Sequence, residues 1–296
     1  MNLSPLRYPG SKANFVPVLV NLLMKSDFKV HTFVEPYAGS ASMTLGLLES
    51  NIIKSALLGE QDPLLFAFWE AVFRHTDELL ERFLDLPITL ETWHKLRPLL
   101  TTKSPYETND FVGYALAGLF FNRANFSGIL NGGPIGGMKQ LSEYKIDCRT
   151  NKDEIVCRIL AASTWADKVE VFFGDAIELI KERAHRKTDF VYADPPYYLQ
   201  GESLYRYFYR LGDHKRLAQT LTDTNAKWLL SYDDHHVIEF LYGKFNMRRH
   251  DFQYSARSPK KHTELLISNF DLPSVIEGWS VVKFKAKLES LGKIIL

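Results

Sequence analysis

The residues with the clearest chemical use are Asp194-Pro195-Pro196-Tyr197, which directly follow the apolar run Phe190-Val191-Tyr192-Ala193. A proline biases the residue before it toward extended backbone, so Asp194 and Pro195 are both held rigid just past a strand end. The Asp194 carboxylate and the Pro195 carbonyl are then paired acceptors, and two acceptors suit an amino group with two hydrogens. The amino nitrogen of a nucleobase is a poor nucleophile because its lone pair is delocalised into the ring. Accepting hydrogen bonds from both N–H groups favours a pyramidal, attacking nitrogen. Tyr197 supplies an aromatic face for a base. The plainer alternative is a strand-to-turn transition that happens to use two prolines.

A second candidate is Phe33-Val34-Glu35-Pro36-Tyr37-Ala38-Gly39-Ser40-Ala41-Ser42, an apolar run into small residues, with a helical pattern from Met43. Small residues there let backbone N–H groups and a helix N-terminus approach a ligand closely. Neither a Walker pattern nor a full dinucleotide fingerprint accompanies them. Glu60 ends the next apolar run, where nucleoside-binding folds hold a carboxylate for ribose hydroxyls, although an ordinary strand-end acid would look the same. In Arg7-Tyr8-Pro9-Gly10-Ser11-Lys12 a Pro-Gly turn presents Lys12 with Tyr8 beside it; taken alone, this reads equally as a solvated tail. His235-His236 with Asp233 and Asp234 has metal-ligand residue types. Adjacent ligands at a strand end point in opposite directions, however, and no further ligand spacing supports them, so no metal is expected.

Groups this far apart in sequence need a scaffold that gathers strand ends. Short apolar runs span Thr32 to Pro36, Ala56 to Glu60, Val169 to Asp175, Phe190 to Pro196 and Trp228 to Asp233. Such runs, without clean alternation, are the mark of strands buried on both faces of a parallel sheet. Helical patterns over Phe15 to Met24, Met43 to Glu49, Ala176 to Arg186 and His214 to Thr222 alternate with them. The expected fold is therefore α/β, a doubly wound and mostly parallel sheet with binding sites at the carboxyl ends of its strands. Glu35, Glu60, Asp175 and Asp194 stand at those ends.

The chain's 296 residues suffice for one large domain or two modest ones. With 46% hydrophobic and 24% charged residues, disorder and fibrous repeats are excluded. A net charge of +1 selects no partner, so local charge has to be read instead. Two cysteines, Cys148 and Cys157, outside any paired motif, fit a reducing compartment. No signal-peptide pattern or long apolar stretch is seen, so cytoplasm is the default location and no membrane is expected.

The interval from Leu64 to Arg158 is too long for a crossover. It carries helical patterns over Leu64 to Asp85, Leu90 to Leu100 and Asp110 to Phe121, then turns Gly-rich through Gly128 to Gly137. We read residues 64–158 as an inserted helical subdomain and residues 1–63 with 159–296 as the α/β domain. Phe245 to Ser255 and His262 to Phe270 resemble a hairpin whose tip holds Arg257, Lys260 and Lys261. The aromatic run Tyr197, Tyr198, Tyr205, Tyr207, Phe208 and Tyr209, with Arg206 and Arg210, can stack bases and meet phosphates, although half of it can equally be core.

The order Tyr-Pro-Gly-Ser-Lys, Glu-Pro-Tyr-Ala-Gly, an insertion and then Asp-Pro-Pro-Tyr resembles the Dam-like class of DNA adenine-N6 methyltransferases. The resemblance covers about residues 5 to 270. It implies transfer of a methyl group from S-adenosylmethionine to the N6 amino group of an adenine flipped out of duplex DNA. Cofactor contacts would come from Tyr8, Lys12, Glu35, Pro36, Tyr37, Ala38, Gly39 and Asp194. Glu60 would hold the ribose, Asp175 would sit at the cofactor's adenine, and Asp194, Pro195, Pro196 and Tyr197 would bind and activate the target base. Asn122-Arg123-Ala124-Asn125-Phe126-Ser127-Gly128 resembles the family's Asn-Arg-x-x-Phe-x-Gly segment at the edge of its DNA-recognition region, which implies that the insertion over residues 64–158 is the DNA-recognition subdomain and that Asn122, Arg123 and Asn125 contact DNA. The basic tip with Arg257, Lys260 and Lys261, followed by Glu264-Leu265-Leu266, resembles the family's later basic turn and would track the DNA backbone. A cognate restriction enzyme is a candidate partner.

Two departures stand out. Ala41 occupies a position where the family commonly has a second glycine, which places an added methyl in the cofactor loop. After Gly128 the chain lacks the arginines that enzymes acting on GATC carry nearby, so that specificity is not implied. Rival readings are methylation of cytosine N4 or an RNA base, a catalytically silent DNA-binding relative, and a generic nucleotide-binding protein.

Overall fold

The computed structural model describes residues 3–8, 10–199, 206–253 and 261–272. The five apolar runs form strands β1 (Thr32–Glu35), β2 (Ser55–Glu60), β3 (Val169–Phe173), β4 (Asp189–Ala193) and β5 (Lys227–Asp233). A hairpin of β6 (Asn246–Gln253) and β7 (Lys261–Ser268) completes the described sheet, in the order β3-β2-β1-β4-β5-β7-β6. Strands β1 to β5 are mutually parallel, and β7 runs antiparallel to both its neighbours. The chain leaves β1 toward β2 and β3 and returns to β4 on the other side, so the switch point lies between β1 and β4.

Period-two alternation within the runs explains why they lack polar positions. Phe33, Phe190, Tyr192, Leu229 and Leu266 face one apolar cluster, whereas Val34, Val191, Ala193, Leu230 and Leu265 face another. Both faces are covered. Helices α1 (Val16–Lys25) and α2 (Ser42–Glu49) lie on the first face, and α8 (Ala176–Arg183), α9 (Leu211–Asp223) and α10 (His236–Leu241) supply the second.

The interval after β2 forms α3 (Pro63–Arg74), α4 (Thr76–Asp85), α5 (Leu90–Leu96), α6 (Phe111–Ala124) and α7 (Lys152–Ser163). The single helix expected over 64–85 is two, because His75 leaves helical geometry at φ −134°, ψ 38°. Helix α7 was not expected; Ile155, Ile159 and Ala162 are its buried stripe, and the Asn151 side chain caps it by accepting from Glu154 N–H. Helix α6 is buried almost all round, and a Cβ at Gly118 would lie 2.5 Å from the Leu64 carbonyl oxygen of α3. Leu64, Phe68 and Phe120 share one continuous core with Phe33, Leu58 and Phe190. The insertion therefore packs on the sheet and extends its core. No helix among the described residues is long and apolar enough to cross a membrane.

Candidate active site

A cleft opens over the carboxyl ends of β1, β2 and β4, lined among others by Tyr8, Lys12, Glu35, Gly39, Glu60, Ile129, Asp194 and Tyr207. Its first wall is the turn after β1. Gly39 has φ +44°, and a Cβ there would fall 2.8 Å from the Tyr8 ring, so conformation and space both demand glycine. Ser11 Oγ lies 3.2 Å from Ser40 Oγ and 3.1 Å from Ser42 Oγ, which ties the N-terminal segment to this turn. Ala41 adopts left-handed geometry at φ 48°, but its methyl is buried in the core and absent from the cleft wall. The departure from glycine is thus borne by the fold and not by the ligand space.

Glu35 closes β1 and accepts hydrogen bonds from Thr44 N–H (3.0 Å) and Thr44 Oγ1 (2.6 Å) in the first turn of α2. Burial nevertheless lifts its carboxyl to about 7. Glu60 closes β2 and accepts from Asp62 N–H at 2.9 Å. Burial first, and then the nearby Asp62 charge, push Glu60 up to about 8. Asp62 caps α3 and pairs with Arg206 at 3.1 Å; Arg206 also donates to the Thr102 carbonyl. That pairing gives the cleft-lining Arg206 a carboxylate partner within the protein. Tyr37 and Tyr209 join by their hydroxyls at 2.9 Å.

Asp194 sits at the end of β4, beside the switch point. Lys12 Nζ donates to both of its carboxylate oxygens at 2.8 Å, to Tyr197 Oη at 2.9 Å and to the Gly10 carbonyl at 3.1 Å, and lies 3.5 Å from Glu264. Tyr197 in turn donates to Glu264. The Lys12 and Glu264 side chains are each only 2% exposed and Asp194 is 23% exposed, so one cation and two anions form a cluster that is buried except where Asp194 meets the cleft. The Tyr197 hydroxyl is drawn into it, and its ring lies beside Lys12, 5.3 Å from the ammonium to the ring centroid. Pro196 reaches the cleft wall. Asp175 caps α8 by accepting from Ile177 N–H, while its neighbours Gly174 and Ala176 line the cleft. Glu264 and Ser231 were not singled out from sequence as site residues; the acid in an otherwise apolar Glu-Leu-Leu-Ile strand was the available signal for Glu264.

The expected DNA contacts by Asn122, Arg123 and Asn125 are corrected, because all three are buried. Asn122 holds the Arg7 backbone and the Gly128 carbonyl. Asn125 accepts from Trp93 Nε1–H and donates to the carbonyls of Ile129 and Leu130, both of which line the cleft. Arg123 donates to the Pro5 and Arg149 carbonyls, and burial pulls its guanidinium down to about 10. Asn122 and Asn125 thereby hold the cleft-lining segment Gly128 to Leu130. In the same segment Phe126 is 70% exposed. Arg257 and Lys260, and the side chain of Lys261, lie outside the described residues. Asp233 receives the backbone N–H groups of Tyr198 and Leu199, Asp234 pairs with Arg249, and His235 caps α10.

The lining suits a nucleoside ligand. Glu35, Glu60, Asp62 and Asp194 line the cleft against Lys12 and Arg206, with tyrosines for a ring and a glycine turn for close approach.

A family model for the D12 class N6 adenine-specific DNA methyltransferases matches residues 8–256. Among solved structures, the chain is similar to precorrin-6y C5,15-methyltransferase from Geobacter metallireducens GS-15, at 8% identity over 85% of each chain with a TM-score of 0.34. It is also similar to M. capricolum TrmK in complex with S-adenosyl-homocysteine, at 7% identity over 84% of this chain and 66% of that one, with a TM-score of 0.34. No curated protein matches the chain. A match that begins at Tyr8, runs through the turn after β1 and Asp-Pro-Pro-Tyr, and takes in the whole helical interval leaves one assignment: the chain belongs to the D12 class N6 adenine-specific DNA methyltransferase family.

Proposed function

We propose that this chain methylates the N6 amino group of an adenine flipped out of duplex DNA, with S-adenosylmethionine in the cleft. The observation that carries the reading is Asp194, a carboxylate fixed at the switch point and already engaged by the N–H groups of an ammonium. When bound, S-adenosylmethionine supplies an activated methyl group on a sulfonium. Tyr8, the turn from Glu35 to Gly39 and Glu60 are the residues that would hold it, with Glu60 offering acceptor oxygens to its ribose hydroxyls.

An adenine N–H would meet the Asp194 oxygen that Lys12 alone engages, while the ammonium keeps Glu264, the Tyr197 hydroxyl and the Gly10 carbonyl as further partners. The Pro195 carbonyl would take the second N–H. Asp194 then offsets the positive charge that develops on the attacking nitrogen, and the rigid Asp-Pro-Pro backbone keeps this acceptor pair in place. Extruding the base costs a few kcal/mol. Duplex DNA is the proposed partner, and a cognate restriction enzyme would read the same site.

The test is incubation with labelled S-adenosylmethionine and mixed-sequence duplex DNA, followed by digestion to nucleosides. N6-methyldeoxyadenosine is the expected product. Methylcytosine or labelled RNA would replace the proposed substrate, and no transfer would defeat the reading.

Glu60 makes cofactor binding pH-dependent. Its carboxyl ionises only near pH 8, and ribose hydroxyls donate best to the ionised form. Below that pH, binding has to expel a proton, so the affinity for S-adenosylhomocysteine should weaken by up to about tenfold per pH unit and level off above it. The Glu60→Gln variant should bind more weakly and without this slope. Calorimetric titration between pH 6 and pH 9 checks both; an unchanged slope in the variant removes Glu60 from the ribose.

A further inference from the structure

We infer that Ser231 is a positioning residue, which selects the carboxylate oxygen of Asp194 that meets the substrate amino group. The inference rests on the proposed function and deepens it. Ser231 is fully buried on β5, the strand next to β4. Ala193 pairs with Leu230, so Asp194 and Ser231 follow one step further along adjacent parallel strands. Tyr192 precedes Asp194 by two residues and shares its face.

The donors order themselves. Tyr192 is buried and its phenol is pushed well above the ordinary range, so it stays protonated, 3.0 Å from Ser231 Oγ. Ser231 Oγ donates to Asp194 Oδ1 at 2.7 Å, and the hydroxyl's single proton is thereby committed. Ser231 must then accept from Tyr192, which gives a one-way relay from Tyr192 through Ser231 to Oδ1. A carboxylate has about four lone-pair sites. Ser231 and Lys12 fill both on Oδ1, whereas Lys12 alone reaches Oδ2. The remaining site, on Oδ2, is the one left for a substrate N–H.

Single-turnover methyl transfer tests this with Ser231→Ala, Ser231→Thr, Tyr192→Phe and the Ser231→Ala/Tyr192→Phe pair. Ser231→Ala should slow the transfer step by about 10- to 100-fold, the range expected when a reacting group is misplaced, with S-adenosylhomocysteine and DNA affinities within about twofold of wild type. Ser231→Thr, which keeps the hydroxyl, should recover most of the rate. In the double variant the Tyr192 hydroxyl is no longer orphaned, so melting temperature should recover while the rate stays low. A Ser231→Ala rate within about twofold of wild type overturns the inference, as does a rate that recovers together with stability in the double variant. The wild-type product is identified in the same assay. If that product is not N6-methyladenine, the proposed substrate falls, and the ratio of Ser231→Ala to wild type on the actual product still decides Ser231. A wild-type chain that methylates no nucleic acid overturns both.

Discussion

Asp194→Ala should lower the rate of methyl transfer by about 10³-fold or more while S-adenosylhomocysteine still binds within a few-fold of wild type. Removing one preorganised group that meets developing charge typically costs about 10²- to 10³-fold. Here the same side chain also accepts the N–H that orients the nucleophile. The variant should fold, because Lys12 keeps Glu264, the Tyr197 hydroxyl and the Gly10 carbonyl. Asp194→Asn should lose nearly as much, since the amide presents only one acceptor oxygen and no charge. A single-turnover assay with labelled S-adenosylmethionine separates transfer from binding. A rate within tenfold of wild type in Asp194→Ala would remove this carboxylate from the reaction.

Lys12→Met should destabilise the protein by about 3–5 kcal/mol, the cost of breaking a buried ion pair and leaving its charge uncompensated. The substitution keeps the apolar stem and deletes the ammonium that lies between Asp194 and Glu264. Two carboxylates would then face each other with no cation between them. Denaturant unfolding measures the loss of stability. If stability changes by less than about 1 kcal/mol at neutral pH, Lys12 is solvated in solution and the buried cluster is not its resting arrangement. Methyl transfer should fall as well, since Asp194 loses the partner that holds its plane.

The alternation of apolar runs with helical patterns, each run ending in an acid or a small residue, determined the α/β class and the positions of Glu35, Glu60 and Asp194. Those features are local: burial on both faces of a strand writes itself as an uninterrupted apolar run, and Asp-Pro-Pro constrains its own backbone wherever it sits. The motif order was likewise a property of the chain alone. Asn122 and Asn125 show where such reading stops, because a polar residue in a motif looks the same whether it meets a ligand or satisfies buried backbone. Lys12 and Asp194 are 182 positions apart. Their meeting depends on a strand order that places β1 beside β4 and on a register that sets Ser231 beside Asp194 and brings Glu264 to the same face. Order and register are set by collective packing of the whole core, which no local period records, so the buried charge cluster and the serine relay were decided by the tertiary structure alone.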